Sequence, residues 1–269
     1  MANDYYLPDN PPPGRAADVL RHLRNKNMTV ELARPTLWQR AVRRLWWTST
    51  QLWDQARASG PLGVIVSEQA IENAFLLRAL DPSVRKVLDF GAFESTLPLS
   101  MAALGLDVTV VDQRPYPFTT TGLRVLRHDI LQPLDALSPD FDLVYSISTV
   151  EHVGLGNYGD ASVRDGDRIA LANLWAKVRP GGRLIFSVPG GQPTIQRGYR
   201  VYDEPALRAI LPYEGEITFF IKPGRRGSWR PSSPEEMKTL RYENYLAEAP
   251  IEGLAIVVLR KPGEEPVGA

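Results

Sequence analysis

The 269 residues are 43% hydrophobic, enough for an ordinary globular core, and suit one large domain or one domain with an accessory segment. Lys plus Arg equals Asp plus Glu at 31 each, so no net positive field draws the chain to nucleic acid or to an anionic membrane; either would need a local patch. The absence of cysteine excludes disulfides and thiolate metal sites.

In chain order, the segment MANDYYLPDNPPPGR is polar and proline-rich, reading as irregular or polyproline-like, with neither the basic nor the apolar region of a signal peptide. Residues 16–24 read as a short helix. Over 36–58 the spacing is helical: Leu37, Ala41, Leu45, Thr48 and Leu52 share one face, Pro35 stands at the start and Gly60 just past the end. Arg40, Arg43 and Arg44 with Trp46, Trp47 and Trp53 would suit peripheral membrane contact or a partner helix. Core or homodimer packing accounts for those tryptophans equally well. A third helix, 68–80, carries Ile71, Phe75 and Leu76 behind Ser67, a candidate cap. Residues 1–80 thus read as a helical extension or lid, and 81–269 as the main domain. No apolar run approaches the roughly 20 residues that span a bilayer, and the expected location is cytoplasmic.

From Val84 the rhythm changes. Strand-like runs at 86–90, 108–111, 124–126, 143–147 and 184–188 alternate with helical stretches, which predicts βαβ units and a parallel sheet buried on both faces. Two more strands, 217–221 and 254–259, flank a basic loop. In open sheets of this kind, ligands bind beyond the carboxyl ends of the strands, where strand order reverses. The first three strands end in VLDFGAFES, VVDQR and RHDI, so Asp89, Asp112 and Asp129 stand at successive strand ends. Asp112, 23 positions beyond Asp89, is placed to accept from both hydroxyls of a ribose, and Asp129 to accept from an adenine amino group. Gly91 lets backbone approach a ligand closely. The plainer alternative is that these carboxylates cap the helices that follow.

VLDFGAFES, VVDQR, RHDI, FDLVYSISTVEH and KVRPGGRLIFSVP, in that order, resemble the successive motifs of class I S-adenosylmethionine-dependent methyltransferases. EHVGLGNYGD followed by RVYDEPAL resembles more narrowly the DUF268-like subgroup. The resemblance spans about residues 81–262 and implies a doubly wound, mostly parallel, seven-stranded α/β sheet of the Rossmann-like methyltransferase kind. It implies S-adenosylmethionine as cofactor, held by Asp89, Phe90, Gly91, Ala92, Phe93, Asp112, Gln113, Asp129, Ile130 and Ser146. The chain departs from the family at the glycine-rich turn, where Phe93 and Ser95 replace small residues. Phe93 would either clash with the methionine end of the cofactor or pack over it. The absence of G-x-G-x-x-G at this turn counts against a nicotinamide cofactor.

Methyl transfer from a sulfonium needs donor and acceptor aligned, and a hydroxyl acceptor also needs a base. His152, one of three histidines, follows the fourth strand, and its ordinary pKa of about 6.5 suits that role. Glu151 beside it would orient the ring, bind cofactor or hold substrate; alternatively the pair packs at a helix start. Tyr158, Asp160, Arg200, Tyr202 and Arg226 are the candidate acceptor contacts, though a surface ion-pair cluster or a solvated loop would account for the last three. The family resemblance, with a loop rich in polar and aromatic groups, implies a saccharide or glycosylated small molecule as acceptor. Asp160, Asp165 and Asp167 have the chemistry of a divalent-metal site, but a solvated loop is the commoner outcome, and no metal is expected. The alternatives are methylation of nitrogen or carboxylate, or a cofactor-binding scaffold without turnover.

Overall fold

The computed structural model describes residues 66–263 apart from 94, 158–160, 197, 225–226 and 243–251. The helices read at 16–24 and 36–58, and the candidate residues Tyr158, Asp160 and Arg226, lie outside the described residues.

Helix α1 (Glu68–Arg78) leads into β1 (Lys86–Phe90), α2 (Leu97–Ala103), β2 (Asp107–Asp112), β3 (Leu123–Arg127) and β4 (Phe141–Ser146). A 3-10 turn (Val150–His152), α3 (Gly166–Trp175), β5 (Val178–Pro189), the short strands β6 (Thr194–Gln196) and β7 (Tyr199–Val201), and α4 (Glu204–Ile210) follow. The chain continues through β8 (Gly215–Ile221), β9 (Arg230–Ser232), α5 (Pro234–Met237) and β10 (Gly253–Arg260).

The main sheet runs β3-β2-β1-β4-β5-β10-β8-β9. Strands β3 to β5 are mutually parallel where they pair, and β10 lies antiparallel between β5 and β8. The seven expected strands are present, and the three-residue β9 adds an eighth at the edge. Strands β6 and β7 pair with each other as a separate antiparallel ribbon. Runs of three residues carry too little periodicity to be read as strands from sequence.

The apolar runs of β1, β2 and β4 are buried almost throughout because helices cover both sheet faces. On one face Leu88, Val144 and Phe186 pack with Leu171 and Leu174 of α3 and Leu207 of α4. On the other, Val87, Leu143, Tyr145 and Ile185 pack with Met101 of α2 and Leu76 of α1. Each such fully buried side chain contributes about 1.5–3 kcal/mol. Helix α1 belongs to the same compact unit as the sheet, a unit running on from Val66. Its entrance is fastened twice: Lys222 Nζ donates to the Val66 carbonyl at 3.0 Å and Trp229 Nε1 at 3.2 Å. From β1 the chain steps through β2 to β3, then returns to the other flank of β1 as β4. The strand ends at β1 and β4 therefore form the switch point where a ligand cleft is expected.

Candidate active site

Asp89 sits at the cleft end of β1, only 3% exposed. Burial pushes its carboxyl up to about 8; the Tyr145 hydroxyl pulls it back, and the Asp112 charge adds to the rise. Asp89 Oδ2 and the Tyr145 hydroxyl nonetheless lack a well-formed hydrogen bond. Gly91 follows at φ +83°, and a Cβ there would lie 2.2 Å from Thr149 Cγ2, so the turn after β1 requires glycine on both counts. Through this contact the β1 turn lies directly against the loop after β4. Phe90 and Ala92 are buried beside it.

Phe93 adopts φ +31°, a left-handed conformation that a side chain with Cβ rarely takes. Its backbone N–H donates to Asp112 Oδ2 at 3.0 Å. Asp112 Oδ1 accepts from the Arg114 backbone N–H at 2.8 Å and from Arg114 Nε at 3.2 Å. The Arg114 guanidinium also stacks over the Phe93 ring, 3.8 Å from its centroid. Asp112 is thus at the predicted strand tip, but its carboxylate is engaged by Arg114. Gln113, half-buried between them, accepts from Arg127 Nε through its carbonyl at 2.9 Å.

Asp129 Oδ1 accepts from the Leu131 N–H at 3.0 Å, a local turn bond that leaves the other carboxylate oxygen for a ligand. Ile130 is buried, and its carbonyl accepts from Asn173 Nδ2 at 2.7 Å. Ser146 at the end of β4 is fully buried, and its hydroxyl finds no partner. Strand-end acids on β1, β2 and β3, a turn that excludes any Cβ, and buried orphan oxygens on Asp89 and Ser146 fit a nucleoside cofactor. For Asp112 to receive a ribose, the Arg114 side chain, 30% exposed, must yield.

The acceptor side lies beyond β4. The carbonyl of Gly198 can only accept, so its 2.5 Å contact assigns the ring proton of His152 to Nδ1 and leaves Nε2 as the basic nitrogen. Nε2 lies 3.7 Å from Glu151 Oε1, and the Tyr199 ring meets the imidazole edge to face at 6.3 Å. The His152 side chain is 25% exposed, whereas Glu151 is 1% exposed with Oε2 unpartnered. Burial pushes the Glu151 carboxyl well up, its own backbone N–H opposes this, and the charges of Glu72 and Glu68 add to it.

Glu72, from α1, is a site residue that the strand-end reading misses. It reaches the heads of β4 and β5, where its Oε1 accepts from the hydroxyls of Ser148 at 2.6 Å and Ser187 at 2.7 Å. Ser148 is itself held at φ +45° and donates its backbone N–H to Ser187 Oγ at 2.9 Å. A signal was available: an acid between Ile71 and Phe75, one turn before Leu76, interrupts the apolar stripe.

Arg200 and Tyr202 do not line open space. Arg200 Nη1 donates to the Val153 carbonyl at 2.7 Å and the Glu151 carbonyl at 3.4 Å. The Tyr202 hydroxyl donates to Asp167 Oδ2 at 2.8 Å, and Arg200 Nε lies 3.7 Å from the same oxygen. These buried side chains brace the loop carrying Glu151 and His152, so Arg200 and Tyr202, candidate acceptor contacts from the sequence, meet protein groups in this structure. Asp203 caps α4 by accepting from the Ala206 N–H. In the basic loop, Lys222 and Trp229 are taken up in holding Val66, and Arg230 pairs with Glu236. No helix among the described residues is long and apolar enough to cross a membrane.

The family model described as "Caenorhabditis protein of unknown function, DUF268" matches residues 118–214. Ubiquinone biosynthesis O-methyltransferase of Xanthomonas axonopodis pv. citri is 26% identical over 187 residues, covering 66% of this chain and 72% of that protein. The protein of the same name from Sodalis glossinidius is 26% identical over 160 residues, covering 56% and 59%. In fold the chain is similar to the 1,6-didemethyltoxoflavin-N1-methyltransferase of Burkholderia thailandensis, crystallised with 1,6-didemethyltoxoflavin and S-adenosylhomocysteine. The two are 18% identical, with a TM-score of 0.48 over 87% of this chain and 93% of that one.

Proposed function

We propose that this S-adenosylmethionine-dependent methyltransferase delivers its methyl group to an acceptor hydroxyl, that of a saccharide or glycosylated small molecule, with His152 as general base. The observation that carries the reading is the His152–Gly198 contact. A ring that donates from Nδ1 to a carbonyl presents Nε2 as a fixed, lone-pair-bearing nitrogen on the partly open side of the loop after β4. The sequence relatives, O-methyltransferases at 26% identity, support oxygen as the acceptor atom. The saccharide class rests on the polar, aromatic character of the loops bordering His152, where Tyr199 supplies a ring edge beside the base.

When bound, the cofactor supplies an electrophilic methyl on a sulfonium, so the chain has to align groups and manage one proton. Asp112 would hold the ribose hydroxyls and Asp129 the adenine amino group, while the Gly91 turn lets backbone come close. Gln113, Ile130 and Ser146 would complete the cofactor contacts. On the acceptor side His152 Nε2 takes the hydroxyl proton as the oxygen attacks. Buried Glu151 lies within Coulombic reach of the imidazolium that results. Arg200 keeps the backbone of Glu151 and Val153 in place, and so fixes where His152 projects.

The test is His152→Ala. Calorimetric titration should show S-adenosylmethionine binding unchanged, while methyl transfer to a panel of saccharides and glycosides falls about 10²–10⁴-fold. Undiminished transfer removes His152 as the base. A wild-type protein that fails to bind S-adenosylmethionine overturns the whole reading.

A further inference from the structure

Two buried carboxylates from different elements stand at the loop after β4, Glu72 through its bond to Ser148 and Glu151 in the 3-10 turn, and each keeps one oxygen without a hydrogen-bond partner. Glu72 and Glu151 are each 1% exposed, and Oε2 of both is an orphan. They are not independent: the charges of Glu72 and of Glu68, one turn earlier on α1, both bear on Glu151. Among the described residues neither pairs with a lysine or arginine; the basic group beside Glu151 is the His152 ring. Nor is Glu72 there by accident of a loose helix. Lys222 and Trp229 fasten the start of α1, Leu76 locks its far end in the core, and two serine hydroxyls aim the carboxylate.

Unpartnered buried carboxylates are costly, and a fold keeps them where something else repays the cost. The open positions select that partner. Glu72 Oε1 is already filled by Ser148 and Ser187, so Glu72 offers a single oxygen and cannot receive a guanidinium fork. A divalent metal would need more oxygen ligands, and no group of three or more acidic or histidine side chains gathers among the described residues. A neutral hydroxyl has one proton to give and no charge. An ammonium has several donors, enough for one bond to each open oxygen, and its charge would favour the ionised carboxylates that burial alone disfavours.

We propose that Glu72 and Glu151 form a buried subsite for an ammonium group carried by a ligand, each orphan oxygen accepting one N–H. This rests on reading the heads of β4 and β5 as the transfer site. The ammonium has two possible sources, the amino-acid end of the cofactor or an amine on the acceptor, because the loop after β4 that holds Ser148 and Glu151 touches the turn after β1 through Thr149 and also carries His152.

The experiment compares wild type with Glu72→Gln, Glu151→Gln and the double variant by titration calorimetry and thermal unfolding. S-adenosylhomocysteine carries the ammonium and 5′-methylthioadenosine lacks it; glucosamine and glucose, titrated into protein saturated with S-adenosylhomocysteine, supply the same contrast on the acceptor side. A loss of at least tenfold in S-adenosylhomocysteine affinity in the double variant, with 5′-methylthioadenosine unchanged, places the cofactor's ammonium there. Unchanged S-adenosylhomocysteine affinity, with glucosamine bound by wild type and lost in the double variant, places the acceptor's there. The inference is overturned if neither contrast depends on the two carboxylates. It is equally overturned if the variants melt below wild type, because the acids would then be satisfied structural acceptors. A wild type that binds neither nucleoside sinks the methyl-transfer reading, and the glucosamine contrast, run without nucleoside, then decides the subsite.

Discussion

Phe93 concentrates the chemistry of the cofactor turn in one side chain. Its φ of +31° is of a kind that costs on the order of 1–3 kcal/mol, at a position where a glycine would sit unstrained. What holds it is the Arg114 guanidinium over its ring and the bond from its own N–H to Asp112. The cation–π contact is worth about 0.5–1 kcal/mol and the partly exposed Arg114–Asp112 pair about 0–1 kcal/mol. Both must break before Asp112 can receive a ribose. Phe93→Gly relieves the strain and unseats Arg114, against a gain of about 0.4–1 kcal/mol in unfolded-chain entropy. S-adenosylhomocysteine should therefore bind about fivefold more tightly, the equivalent of ~1 kcal/mol, with little change in melting temperature. Weaker binding in calorimetry would show instead that the ring packs over the cofactor and contributes to holding it.

Between elements, the decisive connection is the buried brace joining β7 to α3. Asp167, in the first turn of α3, is buried and takes the Tyr202 hydroxyl. A hydrogen bond to a charged partner contributes roughly 1.5–3 kcal/mol. Tyr202→Phe should lower the melting temperature by roughly 3–10 °C in a unit of this size. Nucleoside binding should be unaffected, since the brace lies on the acceptor side; a melting temperature unchanged by the substitution would mean that Arg200 alone secures Asp167. The sequence discloses the elements far better than it discloses such connections. Strand positions and the Asp89, Asp112 and Asp129 tips are legible because a parallel sheet buried on both faces demands unbroken apolar runs, and because acids closing such runs stand out. Arg200 and Tyr202 read equally well as acceptor contacts, because an arginine and a tyrosine after a strand look alike whether they face a cleft or a buried aspartate. Glu72 is legible only as an acid that interrupts an apolar stripe, for a related reason. Helical periodicity shows that it shares a face with Leu76, but not that two strand-end serines wait opposite.

At the scale of the whole molecule, buried acids make stability depend on pH in an unusual direction. Asp89 holds its proton up to about pH 8 in the folded chain, against an ordinary value of 3.8. Below pH 4 both folded and unfolded chains carry that proton, and Asp89 makes no difference to stability. Between pH 4 and 8 the unfolded chain releases the proton while the folded chain keeps it, so the folded state loses ground as pH rises. Above pH 8 the loss is complete and levels off. Glu72 and Glu151, both pushed up by burial, act in the same direction. Asp89→Asn retains the shape and removes the titration. The variant should melt close to wild type at pH 4 and increasingly above it toward pH 8, the gap widening by at most about 1.4 kcal/mol per pH unit. The same substitution should weaken nucleoside binding if the orphan oxygen of Asp89 serves the cofactor, so stability and affinity would move in opposite directions. A gap that does not change with pH would mean that Asp89 is ionised in the folded chain and that its oxygen has found a partner.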